Sequence, residues 1–99
     1  MSTEAAKNDE VLVRHNAAER RFETVVDRVL SVAEYELGAG TMTMTHTLVP
    51  PALRGRGIAE KLVRAALDWA RTERLRVVPA CSYVATFVQR HAEYQPLVR

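Results

Sequence analysis

Apolar and polar positions alternate along the first half of the chain and change period in the second. Val11, Val13 and His15 alternate with Leu12, Arg14 and Asn16, which predicts a short strand ended by Asn16-Ala17-Ala18. Arg21 to Val26 predicts a second strand with Phe22, and Val25 or Val26, facing inward. Asp27-Arg28 is then the turn, although a glycine at its second position would suit a tight hairpin better. Val29 to Leu37 is rich in β-branched and apolar residues and reads as a third strand; its Ala, Leu and Glu content also suits a helix. Gly38-Ala39-Gly40 breaks the pattern. Thr41 to Val49 follows period 2, with Met42, Met44, His46 and Leu48 on one face and the threonines with Val49 on the other. Pro50-Pro51 stops it.

After the prolines the period becomes helical. Ile58, Leu62, Ala65, Ala66, Trp69 and Ala70 form an apolar stripe opposite Glu60, Lys61, Arg64, Asp68 and Arg71. Trp69 belongs to the core side of that helix, which should end near Glu73, and Glu60–Arg64 is an i,i+4 pair in the favourable order. Arg76 to Pro79 predicts a short fifth strand, and Ser82 to His91 a second helix packing Val84, Phe87 and Val88. Pro96 is expected to preclude helix beyond it. The order β-β-β-β-α-β-α predicts an α+β fold. Its single mixed sheet is mostly antiparallel, with one parallel β-α-β crossover and helices packed on it. Residues 1–9 read as a flexible polar tail and 10–99 as one domain.

Composition narrows the classes. Ninety-nine residues, 47% apolar and 26% charged, suit one soluble core. The lone Cys81 cannot bridge internally, so a reducing compartment, the cytoplasm, is expected. No apolar run approaches the roughly 18 residues of a membrane span, and the first residues do not resemble a signal peptide, so no membrane partner is expected. The net charge of +2 conceals a split of −3 over residues 1–50 and +5 over 51–99. The basic stretch from Arg54 to Arg76 points to an anionic partner. Few aromatics and the acidic first half argue against nucleic acid. Arg64, Arg71, Arg74 and Arg76 read as a solvated face. No metal is expected, because no set of ligating side chains has metal spacing.

The loop at the front of the basic stretch carries the chemistry. Ala52-Leu53-Arg54-Gly55-Arg56-Gly57-Ile58-Ala59 lies between a strand and a helix. Two glycines allow a sharp turn with close backbone approach, and the helix start adds unpaired N–H groups and a positive dipole end. That suits a phosphate; it also suits a plain connecting turn. The dinucleotide fingerprint fails because Glu60 stands where its third glycine is needed, and the Walker loop fails for want of Gly-Lys-Ser/Thr.

Arg54-x-x-Gly57-x-Ala59 fits the Gln/Arg-x-x-Gly-x-Gly/Ala signature of the GNAT acetyltransferase superfamily. Three further segments carry the likeness: His46-Thr47-x-Val49-Pro50, Val78-Pro79-x-Cys81-x-Tyr83 and Arg90-His91-x-Glu93-Tyr94. With them the chain resembles minimal YjdJ-like N-acetyltransferase-domain proteins over about residues 11–98. The resemblance implies that acetyl-CoA is the cosubstrate and an unidentified amine the acceptor. It implies a pyrophosphate held by Arg54, Gly55, Arg56, Gly57, Ile58 and Ala59, and a pantetheine arm along Leu48 and Val49. Cys81 would then lie near the cofactor's thiol end. A monomer or weak homodimer is expected.

Acetyl transfer to an amine by direct attack needs a base and a proton source. His46 is the candidate base, with a hydrogen-bonded core histidine as the competing reading. Cys81 is a candidate for contact, proton donation or acylation, or a small buried residue, and the helix starting at Ser82 could lower its pKa. Larger family members carry an Asn after the fifth strand and a Tyr seven residues on; here Cys81 and Val88 stand there. Tyr83 is displaced by more than a helical turn, so packing is its expected role. His91, Glu93 and Tyr94 read as a C-terminal docking segment, and His15 as a surface strand residue. A non-catalytic CoA or acyl-CoA binding module is the alternative function.

Overall fold

Three hairpins, two of them with two-residue turns, and one crossover build the sheet. The computed structural model describes residues 11–98, so the segment read as a polar tail lies outside them. The strands are β1 (Arg14–Asn16), β2 (Arg21–Val26), β3 (Val29–Gly38), β4 (Thr41–Leu48) and β5 (Arg76–Pro79). They lie side by side in chain order, antiparallel except for the parallel pair β4–β5. Helix α1 (Ile58–Thr72) crosses between β4 and β5, and α2 (Ser82–Arg90) follows. The α+β class and the element order match the expectation, and Val29–Gly38 is strand rather than helix.

Both two-residue turns, β2–β3 and β3–β4, place their residues in the left-handed region, as the right-handed strand twist demands. Asp27 and Arg28 hold φ of 53° and 64° without any glycine; Ala39 and Gly40 hold 52° and 78°. Arg74 takes the same region (φ 58°) to end α1, with Arg74 N–H on Arg71 O at 3.1 Å and Leu75 N–H on Ala70 O at 2.9 Å.

The core lies on one face of the sheet. Phe22, Ala33, Tyr35, Met42, Met44 and Val77 meet Ile58, Leu62, Val63, Ala66, Leu67 and Ala70 of α1 and Val84, Phe87 and Val88 of α2. Among the described residues no helix covers the other face. Val25, Leu30, Leu48 and Val78 are exposed there, and Glu23 is shielded by Arg14, Asn16 and Arg21.

Three expectations are corrected. First, the period of β4 breaks at an irregularity between Glu34 and Tyr35: Tyr35 faces Met44, but Glu34 faces His46, leaving Thr45 extra. Met42 and Met44 therefore point to the helices while His46 and Leu48 stand on the open face. Second, Pro96 lies inside a 3-10 run, Ala92–Val98, whose i→i+3 bonds tolerate it. Third, Arg64 and Arg71 are not merely solvated. Arg64 pairs with Glu60 at 3.1 Å and Glu93 at 3.6 Å, and both guanidiniums lie over the buried Tyr94 ring, at 5.9 and 5.0 Å. The C-terminal docking reading of Tyr94 agrees with this clasp.

His15 is corrected as well. It stacks on Phe22 at 4.1 Å, meets Trp69 edge-on at 4.6 Å and shares a hydrogen bond with Tyr35 Oη at 2.6 Å. Burial holds its pKa below the ordinary histidine value. The unfolded chain therefore takes up a proton near pH 6.5 that the folded chain refuses. Stability is full above that pH and falls as pH drops toward the lowered folded value. Urea unfolding followed from about pH 7.5 down to about 5.5 should show a falling midpoint, and His15→Gln should flatten the slope.

Candidate active site

β4 and β5 pair only from Thr41–Arg76 to Met44–Pro79. The final tie is Cys81 N–H on Met44 O at 2.9 Å. Beyond it the β5-side edge of β4 has no strand partner, and Pro50, which lacks an N–H, follows directly. A 3-10 turn at Pro51–Leu53 redirects the chain, with Leu53 N–H on Pro50 O at 2.9 Å and Arg54 N–H on Pro51 O at 3.2 Å. Gly55 and Gly57 then adopt φ of 84° and 76°, which lets the chain enter α1. A Cβ at either glycine would meet nothing within 4 Å, so both face open space. The amides of Gly55, Arg56 and Gly57 have no backbone acceptor among the described residues. Those of Ile58, Ala59 and Glu60 begin the helix, where none is available.

A cavity of about 390 Å³ opens at this junction. It brings together Leu48, Val49, Arg54, Gly55, Gly57, Ile58 and Ala59, all expected from the sequence. The remaining expected residues stand apart from its lining. Arg56 turns its guanidinium away to Asp27 at 2.9 Å, so only its amide is available to the loop. Cys81 sits one contact behind the wall, Sγ donating to Thr47 Oγ1 at 3.6 Å. His46 is exposed on the open face, one residue from Thr47.

The Cys81 thiol feels opposed influences. Burial raises its pKa; the first-turn amides of Val84 and Tyr83 and the Thr47 hydroxyl favour the thiolate and together carry it below the ordinary value. Arg54 lines the cavity and folds back to give Nε–H to Val49 O at 3.0 Å.

Thr47, Glu60 and Tyr83 also line the cavity and were not among the expected binding residues. Thr47 turns inward because of the extra residue at Thr45, which strict alternation conceals. Tyr83 is reached through space rather than along the sequence: the start of α2 swings it opposite Ala59 and Glu60. Its pKa is raised by burial first and by the Glu60 charge second, so it keeps its proton. Among the described residues no three His, Cys, Asp or Glu side chains gather as a metal site. No helix there is long and apolar enough to cross a membrane.

The sequence and the fold are similar to those of known proteins. The sequence pattern of the GCN5-related N-acetyl-transferase matches residues 21–97. Protein NATD1 of Bos taurus is 38% identical, covering 90% of this chain and 81% of that protein. Protein NATD1 of Homo sapiens is 36% identical over the same shares. A GCN5-like protein of Staphylococcus aureus, solved by NMR, superposes with a TM-score of 0.71 at 23% identity, covering 90% of this chain and 88% of the other. A pattern spanning most of the chain, with relatives of similar length, places this protein in the GCN5-related N-acetyltransferase family.

Proposed function

We propose that the protein binds acetyl-CoA in the cavity between the parted strands and the Gly55–Ala59 loop, and moves the acetyl group to an amine by direct attack. The observation that carries the reading is that one cavity joins the glycine loop to the unpaired edge of β4. Free amides from Gly55 to Glu60, the α1 dipole and Arg54 favour a pyrophosphate. The dipole contributes about 0.3–1 kcal/mol and more where water is excluded. The free edge at Leu48 and Val49 favours an extended arm that pairs like a strand.

Bound there, acetyl-CoA supplies the activated acyl group. His46 takes one proton from the acceptor ammonium at the open face, freeing the nitrogen lone pair. Tyr83 gives its phenolic proton to the sulfur as the carbon–sulfur bond breaks and regains one from the new amide nitrogen. Thr47 borders the thiol end of the cavity, with Cys81 one contact behind it. Calorimetry should give saturable heat with CoA and acetyl-CoA. Cys81→Ala should still turn over, and intact mass after acetyl-CoA should show no acetyl adduct; a trapped adduct on Cys81 would replace direct attack with a covalent route. A CoA-binding module without turnover is the second reading, favoured by an open face that no helix covers among the described residues. CoA binding without transfer to any amine would establish it.

A further inference from the structure

The stretch that carries the free amides is held from outside itself at one point. On its near side Leu53 is buried, and Arg54 is fixed by its amide on Pro51 O and its Nε on Val49 O. On its far side the first helical bond runs from Lys61 N–H to Gly57 O at 3.2 Å. Between them stand Gly55, Arg56 and Gly57, all exposed. Both glycines lie in the left-handed region with open space where a side chain would project, so packing does not restrict them. Among the described residues, the one other hydrogen bond of this stretch runs from Arg56 Nη1 to Asp27 Oδ2, at 2.9 Å across 29 positions of sequence.

The other end of that bond is a fixed point. Asp27 sits at the tip of the β2–β3 hairpin, directly after the last pair of the ladder, Val26–Val29, whose side chains pack on the core. Its φ of 53° would suit glycine best, yet the position holds a carboxylate aimed at the loop. Aspartate is among the few other residues that enter this region readily. The pair also explains a gap in the cavity lining: Gly55, Gly57, Ile58 and Ala59 take part in it, and Arg56 does not.

We propose that Asp27 is a positioning residue for the cosubstrate: through Arg56 it straps the glycine stretch to the sheet, so that the amides of Gly55, Arg56 and Gly57 are in place before the pyrophosphate arrives. This rests on the acetyl-CoA reading of the cavity. Arg56 then serves the phosphate through its backbone, while its charge is answered by Asp27. A loop without the strap samples other arrangements, and the affinity falls by the fraction of time that the amides are in place. The opposite arrangement, with Arg56 swinging onto the phosphate, would make Asp27 a competitor whose removal tightens binding.

The test is calorimetry with CoA on the full chain. Asp27→Gly removes the carboxylate and suits the left-handed backbone, and arginine already holds that region at positions 28 and 74, so Asp27→Arg is also compatible with the turn. Melting temperatures should stay within about 4 °C of wild type. The pair is exposed, so the effect expected is modest: Asp27→Gly and Arg56→Gln should each weaken CoA binding by about fivefold, and the two together no further. Combining Arg56→Glu with Asp27→Arg should recover most of the affinity that Arg56→Glu alone loses. Unchanged or tighter CoA binding by Asp27→Gly overturns the proposal, as does a double variant in which the two losses multiply, or a reversed pair no better than Arg56→Glu. Absence of CoA binding by wild type overturns it together with the cavity assignment.

Discussion

Gly57→Glu is expected to weaken CoA binding by about a hundredfold or more, measured by calorimetry. Gly57 sits at the N-cap of α1 in the left-handed region, with open space where a side chain would project. A glutamate there puts negative charge among the amides that would otherwise meet a pyrophosphate. It also costs roughly 1–2 kcal/mol of backbone strain. Strain alone would be a weak test, so a control is needed. Gly40 has nearly the same φ, 78°, and equally open surroundings, but lies in the β3–β4 turn away from the cavity. Gly40→Glu should lose similar stability and keep CoA affinity. Equal loss of affinity in both variants would mean that the loop holds no phosphate.

Tyr94→Ala is expected to destabilise the fold by about 3–5 kcal/mol. Tyr94 is 2% exposed, its hydroxyl donates to Asp68 Oδ1 at 2.7 Å, and its ring faces Phe87 at 6.0 Å beneath two guanidiniums. A domain this size is stable by only about 5–15 kcal/mol, so the melting temperature should fall by more than about 12 °C. Tyr94→Phe removes only the hydroxyl and should cost about 1 kcal/mol. An alanine variant melting within a few degrees of wild type would show that the C-terminal run does not hold the domain together.

The elements were legible because each repeats a local period. Strand alternation from Arg21, the helical stripe from Ile58 and the breakers Gly40 and Pro50 each depend on near neighbours only. The cofactor loop was legible for the same reason, since its glycines and arginines are contiguous. What escaped depends on contacts between distant segments. The face of His46 turns on one extra residue, Thr45, which nothing in the alternation of threonines marks. The aromatic packing of His15 needs Tyr35 and Trp69, and the task of Arg71 needs a tyrosine 23 positions later. Arg56 was counted with the loop, yet its guanidinium answers Asp27 at the tip of the β2–β3 hairpin. That hairpin tip itself was read correctly, but its two left-handed residues without glycine were not foreseeable from propensity.

Laying the strands side by side in chain order has a kinetic consequence. β1 to β4 can zip as successive hairpins whose turns close over two to four residues, so little loop entropy opposes them. β5 can join only after α1 has formed and folded back. The cavity is bounded by that last seam, so the region that would bind the cosubstrate completes late in folding and opens early under stress.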